Sequence, residues 1–107
     1  MITLEKLIER AEIKGEAILN GRMTHYYGQK GKLEEKYAVV IKGDIVKLRH
    51  WGTQTLVIDT EKKEVIEYYG EGKSDRDSMN YMLSRYGITN VFFRYRPSIE
   101  SFSMEER

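Results

Sequence analysis

The spacing of apolar residues at two places in the chain predicts two amphipathic helices. A first stripe with helical period is formed by Leu4, Leu7, Ile8 and Ala11. It predicts a helix over about residues 4–14 of the amino-terminal segment 1–15, with Thr3 as N-cap and Gly15 at its end. A second stripe is formed by Met79, Met82, Leu83 and Tyr86. It predicts a helix over residues 74–86 that ends at Gly87.

Between these helices, short apolar runs separated by turn residues predict strands across residues 16–69. Four runs cover residues 37–41, 45–51, 53–59 and 64–69, with turns at 42–44 and 61–63. Such short connections are typical of an antiparallel meander. In the run 45–51, residues 45, 47, 49 and 51 are predicted on one face of the strand and residues 46, 48 and 50 on the other. The first face is the more basic and the second the more apolar.

Three further segments are defined by their turn and breaker residues. Asn20-Gly21 predicts a hairpin turn, because both residues tolerate positive φ. Polar residues 28–36 predict a loop. Residues 89–96 predict a last strand ended by Pro97, and the remainder, 97–107, predicts a frayed tail.

These elements together predict an α+β fold in a single domain. The 107 residues suffice for one modest core, and we expect a largely antiparallel sheet of five to seven strands. Both helices are expected on one face of the sheet, because their apolar stripes need a common surface to cover.

Composition narrows the classes of function. The chain has no cysteine, which excludes disulfides, thiolate zinc sites and thiol catalysis. Its formal net charge is +1, which argues against a protein whose function is to coat duplex DNA. The charged amino-terminal segment resembles neither a signal peptide nor a membrane span. We therefore expect a cytoplasmic protein without membrane contact, and no cofactor is indicated.

The stretch GEGKSDRD, residues 70–77, invites a phosphate-loop interpretation, which its spacing does not support. A nucleotide-hydrolase loop needs Gly five residues before its Gly-Lys pair, and that place is Glu67. The alternative is a capping box in which Ser74 and Asp77 bond to each other's amides. Asp75 and Asp77 would also repel an incoming anion, so a helix start is the interpretation we adopt here.

The two histidines, His25 and His50, are the candidate acid/base groups. Each stands beside aromatic residues in a predicted strand, where half-buried structural histidines are common. As a pair they could cleave RNA, with Lys47 or Arg49 stabilising the transition state. No HxH or HExxH spacing indicates a metal site.

Interleaved basic and aromatic residues favour a binding function. A nucleic-acid interpretation uses Lys47, Arg49, Trp51, Arg94 and Arg96, which could neutralise phosphates and stack on bases. A protein-interface interpretation rests on the eight tyrosines and one tryptophan, more rings than one small core absorbs. Alternation in the last strand places Phe92 and Arg94 on one face and Phe93 and Tyr95 on the other. The predicted partner-binding set is Arg49, Trp51, Tyr68, Tyr69, Phe92, Arg94 and Arg96.

Four short elements follow one another between about residues 37 and 87 in a recognisable order. They are Trp51-Gly52-Thr53, Val57-Ile58-Asp59, Tyr68-Tyr69, and a helix from Ser74 through Met79-Asn80-Tyr81-Met82-Leu83. This order resembles a group of small proteins of unknown function that phages frequently encode, although Asp75-Arg76-Asp77 stands where threonines are common in that group. The resemblance implies a viral or mobile-element context, in which small domains often bind and block host defence machinery.

Three hypotheses of function follow. The first is a non-catalytic inhibitor, such as an anti-CRISPR protein, that binds a host protein or ribonucleoprotein complex. The alternative is a small RNA- or single-stranded-DNA-binding module, and a further alternative is a ribonuclease built on His25 and His50. The sequence leaves the partner and the oligomeric state open.

Overall fold

A computed structural model describes the backbone of residues 2–23, 32–96 and 101–107, and the side chains of residues 3–21, 34–96 and 103–107. The chain forms two helices and seven strands within these ranges. In chain order they are α1 (Ile2–Lys14), β1 (Glu16–Met23), β2 (Lys32–Lys42), β3 (Ile45–His50), β4 (Thr53–Asp59), β5 (Glu64–Tyr68), α2 (Lys73–Arg85), β6 (Val91–Arg96) and β7 (Ser101–Glu106). The α+β single domain predicted from the sequence is confirmed.

The first five strands form an antiparallel meander in the order β1-β2-β3-β4-β5, so β1 and β5 are its edges. The predicted turns lie where expected, with Gly43 at a φ of +59° between β2 and β3. Both helices also end at the predicted glycines, since Gly15 and Gly87 have φ values of +84° and +71°. Only glycine adopts such angles without strain, which is why these positions stop a helix.

One face of the meander carries the hydrophobic core and both helices. On β3 the alternate residues Val46, Leu48 and His50 are buried, while the residues between them are half-exposed. Helix α1 lies against β1 and β2, and helix α2 against β4 and β6. Fully buried members of the core from both helices and the sheet include Leu4, Ile8, Val39, Leu48, Leu56, Ile58, Met79 and Met82.

The hairpin turn predicted at Asn20-Gly21 is wrong, because both residues lie inside β1. Asn20 pairs with Glu35 and Gly21 with Glu34, directly after an irregularity in the ladder that leaves Lys36 without a partner on β1. The predicted loop 28–36 is correspondingly too long, since β2 begins at Lys32. The bulged residue is Lys36 of β2, and neither Asn20 nor Gly21 has a positive φ, so the conformational freedom that favours a turn at this pair is not used here.

The frayed tail predicted for residues 97–107 is also wrong for the part that the structure describes. Strand β7 pairs antiparallel with β6 in a separate two-stranded sheet, with Phe93 opposite Met104. Phe102 and Met104 alternate with Ser101 and Ser103, which is the period of a strand. That alternation was the available signal, and it covers too few residues to stand out.

Asn80 attaches this two-stranded sheet to α2. Its side-chain amide donates to the carbonyl of Phe93 at 2.9 Å, and its side-chain oxygen accepts from the amide of Phe93 at 2.8 Å. The ring of Phe93 is 1% exposed and belongs to the core. The hydrogen bonds therefore fix the depth at which β6 lies on the helix.

Candidate functional site

Arg49 and Lys47 lie on the face of the meander opposite the helices, as alternation predicts. The guanidinium of Arg49 donates to Glu35 at 2.9 Å and lies 3.7 Å from Glu16. This hydrogen bond to Glu35 is the main cause that raises the pKa of Arg49 above its usual value. Lys47 stands between Val40 and Val57. The charge of Arg49 is thus already balanced by carboxylates of neighbouring strands.

The arginines of β6 are balanced in the same way. Arg94 and Arg96 both reach Glu105 of β7, and Arg96 also donates to the hydroxyl of Ser103 at 3.0 Å. Phe92 is half-buried, with the guanidinium of Arg107 5.2 Å from its ring centre. The predicted alternation of this strand is confirmed, because Phe93 is in the core whereas Arg94 and Arg96 are exposed.

The prediction that Trp51 shares a face with Arg49 is wrong. Strand β3 ends at His50, and Trp51-Gly52 forms the turn to β4 with φ values of +50° and +80°. The turn breaks the alternation and carries the Trp51 ring to the side of His50, 5.9 Å from the imidazole at a tilt of 35°. A positive φ is unusual for so bulky a residue and costs on the order of 1 kcal/mol.

His50 is held by two different contacts at the end of β3. Its ring stacks on Tyr37 of β2, with centres 4.5 Å apart and planes within 11°. Its Nδ1 lies 2.6 Å from Oδ1 of Asp75 in α2. The residue is 8% exposed. The partner proposed for a two-histidine mechanism, His25, lies outside the described residues, so that mechanism stays a prediction.

Asp75, in the first turn of α2, bonds back to the segment before the helix, and the predicted capping box of Ser74 and Asp77 is wrong. The helix has Gly72 as its N-cap, with no side-chain cap bond, and Oδ2 of Asp75 accepts from the amide of Glu71 at 3.0 Å. Burial alone would raise the pKa of Asp75, but the hydrogen bonds from His50 and from the amides of Glu71 and Gly72 prevail and lower it. Asp75 is therefore a carboxylate near neutral pH.

A cleft of about 240 Å³ opens beside this pair, between the β3–β4 turn and the start of α2. We call it the His50 cleft. Its walls are formed by His50, Trp51, Tyr69, Glu71 and Asp75. The hydroxyls of Thr53 and Ser74 complete its rim. The phenol of Tyr69 donates to the carboxylate of Glu71, and this bond is the main cause that raises the pKa of Tyr69.

Next to the cleft, the edge strand β5 and the residue that follows it display large side chains. Ile66, Tyr68 and Tyr69 are 55%, 41% and 49% exposed, and we call these three residues the tyrosine edge. The ring of Tyr68 also contacts Phe93 at 5.2 Å, so one of its sides is supported by the core. Tyr69 belongs to both the tyrosine edge and the His50 cleft, which joins the two into one surface.

Sequence reasoning named Trp51, Tyr68, Tyr69 and His50 as candidate residues but did not predict the contact between His50 and Asp75 that organises the cleft. His50 and Asp75 are 25 positions apart, and no local motif connects them. Glu71 was considered only as part of the stretch GEGKSDRD, and its hydrogen bond with Tyr69 was not predicted. A periodicity argument identifies which face a residue occupies, but it does not show which strand end a distant helix will approach.

Two searches of the described residues bear on other kinds of site. No group of three or more histidine and carboxylate side chains within them could hold a metal ion. Neither helix in the described part of the chain is long and apolar enough to cross a bilayer. Comparisons with family models, with curated proteins and with solved structures find no match to this chain.

Proposed function

We propose that the chain is a protein-binding domain without a catalytic role, whose contact surface is the tyrosine edge. The observation that carries the proposal is the concentration of three exposed large side chains within four residues at the end of an edge strand: Ile66 and Tyr68 of β5, and Tyr69 directly after it. Edge strands offer unpaired backbone groups, and tyrosines are enriched among the residues that dominate interface energies.

Trp51 supports the same surface from the other side of the cleft. A bulky ring at a φ of +50° is strained, where Asn or Gly would not be. The ring is half-buried and lines the His50 cleft rather than the core. Strained positions of this kind cluster at binding sites, so the position of Trp51 favours recognition over packing.

The ion pairs of the arginines weigh against the nucleic-acid alternative. Arg49 is balanced by Glu35 and Glu16, and Arg94 and Arg96 share Glu105. A phosphate would have to displace these carboxylates before each arginine could release counterions from a nucleic acid. The proposed interface is therefore aromatic rather than basic.

The narrower part of the proposal is that the partner belongs to a host defence system, and that the domain inhibits it as an anti-CRISPR protein does. This part rests on the resemblance to phage proteins given above. It would place the chain in the cytoplasm of the host cell.

A plaque assay tests the narrower part. Bacteria with a CRISPR system that targets a phage are made to express the chain, and plating efficiency is measured. The wild type should restore plating, the double variant Ile66→Lys with Tyr69→Ala should not, and Ile13→Lys should, because Ile13 is 84% exposed on α1 and outside the surface. Equal restoration by all three proteins would reject the tyrosine edge, and no restoration by the wild type would reject inhibition of that system.

Salt-titrated binding to labelled single-stranded oligonucleotides distinguishes the proposed protein-binding function from the nucleic-acid alternative. We expect no binding at about 50 mM salt. Tight binding there, with a steep loss of affinity towards about 200 mM, would instead favour the nucleic-acid module.

A further inference from the structure

We infer that the His50 cleft binds the ammonium or guanidinium group of a basic side chain presented by the protein partner. The inference rests on the proposed protein-binding function and names the chemistry of the partner group. Its starting observation is His50, which is 8% exposed and uses Nδ1 for Asp75, while Nε2 has no hydrogen-bond partner among the described residues.

The contact with Asp75 decides which ring nitrogen of a neutral His50 imidazole is left as the acceptor. The pKa of Asp75 is lowered, so this side chain is a carboxylate and accepts a hydrogen bond from Nδ1–H of His50. A neutral imidazole with a proton on Nδ1 has its lone pair on Nε2. An acceptor that faces a cleft favours a ligand with N–H donors.

The charges around the cleft select a cation over an anion. Glu71 and Asp75 are both carboxylates of the lining, and no lysine or arginine belongs to the lining within the described residues. The start of α2 would by itself attract an anion through its free amides. Asp75 in the first turn of α2 already places a carboxylate at that end of the helix, so an arriving anion meets a negative charge.

The aromatic walls add a second reason for a cation. Trp51 and Tyr69 both line the cleft, and ring faces attract ammonium and guanidinium groups by about 0.5–2 kcal/mol. The volume of about 240 Å³ suits the end of one long side chain. Because Tyr69 also belongs to the tyrosine edge, a partner lying on that edge can place a Lys or Arg in the cleft.

The single tryptophan makes the test direct. Trp51 is the chain's one tryptophan, so its fluorescence reports on the cleft. The probes are N-acetyl-lysine N-methylamide and N-acetyl-arginine N-methylamide, with the neutral norleucine analogue as control. We expect dissociation constants on the order of 1 mM for both cationic probes and at least about tenfold weaker binding of norleucine. Nitrogen NMR should show a shift of the His50 Nε2 resonance in the same titration.

A matched pair of variants assigns the effect to the cleft. Glu71→Gln removes one of the two carboxylates and should weaken the cationic probes about threefold or more. Glu67→Gln removes an exposed carboxylate of β5 that does not line the cleft, and should leave affinity unchanged within about twofold. Far-ultraviolet circular dichroism of both variants confirms that they remain folded.

Four results would overturn the inference. These are equal binding of norleucine, an unchanged affinity in Glu71→Gln, a response to inorganic phosphate in place of the cations, and methylammonium binding as tightly as the lysine derivative, since the last would mean a site for a free ion. None of them depends on the partner. Failure of the probes therefore leaves the tyrosine edge to be judged by the plaque assay, and failure of that assay leaves the probe titration valid.

Discussion

Replacement of Asn80 by Ala should detach the β6–β7 sheet from α2. Asn80 makes two hydrogen bonds with the backbone of Phe93, at 2.9 and 2.8 Å, and both are partly buried. A hydrogen bond contributes about 0.5–1.5 kcal/mol net, so losing two lowers the free energy of unfolding by about 1–3 kcal/mol. With a urea m-value of about 1–3 kcal/mol/M for a domain of this size, the midpoint should fall by on the order of 1 M.

Urea unfolding followed by circular dichroism measures this loss, and amide hydrogen exchange locates it. The amides of β6 and β7 should exchange faster in Asn80→Ala. The protection of the amides in β2 and β3 should fall only by the amount that corresponds to the loss in global free energy of unfolding. Ser84→Ala is the control, because Ser84 is exposed on the same helix and its change should stay within about 0.5 kcal/mol. If Asn80→Ala unfolds at the same urea concentration as Ser84→Ala, the two hydrogen bonds do not hold the sheet in place.

Three further substitutions test other parts of the structure. Asp75→Asn should lower the free energy of unfolding at pH 7 by about 1–3 kcal/mol, since it removes the charged partner of His50. Because the pKa of Asp75 is lowered on folding, its contribution is present above the unfolded value of about 3.9 and lost as pH falls through the folded value. The deficit of Asp75→Asn should therefore shrink in urea unfolding at acid pH, and a deficit that is constant with pH would contradict this account. Tyr86→Phe should leave the free energy of unfolding at pH 7 unchanged or higher, because the Tyr86 hydroxyl is buried without a hydrogen-bond partner among the described residues. Burial raises the pKa of Tyr86 to about 12, so the neutral phenol's contribution to the free energy of unfolding is fully present below about pH 10 and is lost as pH rises towards 12. Absorbance titration should show one tyrosine that ionises late, and this step should disappear in Tyr86→Phe. Trp51→Asn should keep the free energy of unfolding within about 1 kcal/mol, since Asn tolerates the φ of +50°. The same substitution should abolish partner binding at the proposed interface. A loss of about 3 kcal/mol or more in urea unfolding would instead assign Trp51 to the core.

The meander and the helices could be predicted because their signals are local. Gly15, Gly43 and Gly87 each occupy a positive φ that glycine adopts without strain, and each stands where an apolar period stops. The same local reasoning failed at Asn20-Gly21, which continues strand β1 beside the bulge at Lys36 of β2. Strand β1 continues through these residues because its partner β2 pairs with it as far as Met23. A window of a few residues does not contain the partner strand, so local sequence could not predict this.

The candidate site was only partly predictable because it is assembled from distant elements. Tyr68 and Tyr69 were identified by composition, and their exposure agrees with the expectation that a small core cannot absorb every ring. Trp51 was assigned to the wrong face, because alternation was continued one residue beyond the end of β3. The contact between His50 and Asp75 depends on where α2 begins relative to the sheet, which is a tertiary fact.

The pairing of charges across the strands explains why the aromatic surface, rather than the basic residues, carries the proposed recognition. With 18 basic and 17 acidic side chains, the chain has nearly enough carboxylates to balance every cation. Cross-strand neighbours do so for Arg49 through Glu35, and for Arg94 and Arg96 through Glu105. Glu71 is bonded instead to a neutral phenol, that of Tyr69, so its negative charge is not balanced by that contact. The local excess of charge at the described surface beside the tyrosine edge is therefore negative, and a partner with a basic side chain is the complement that this arrangement favours.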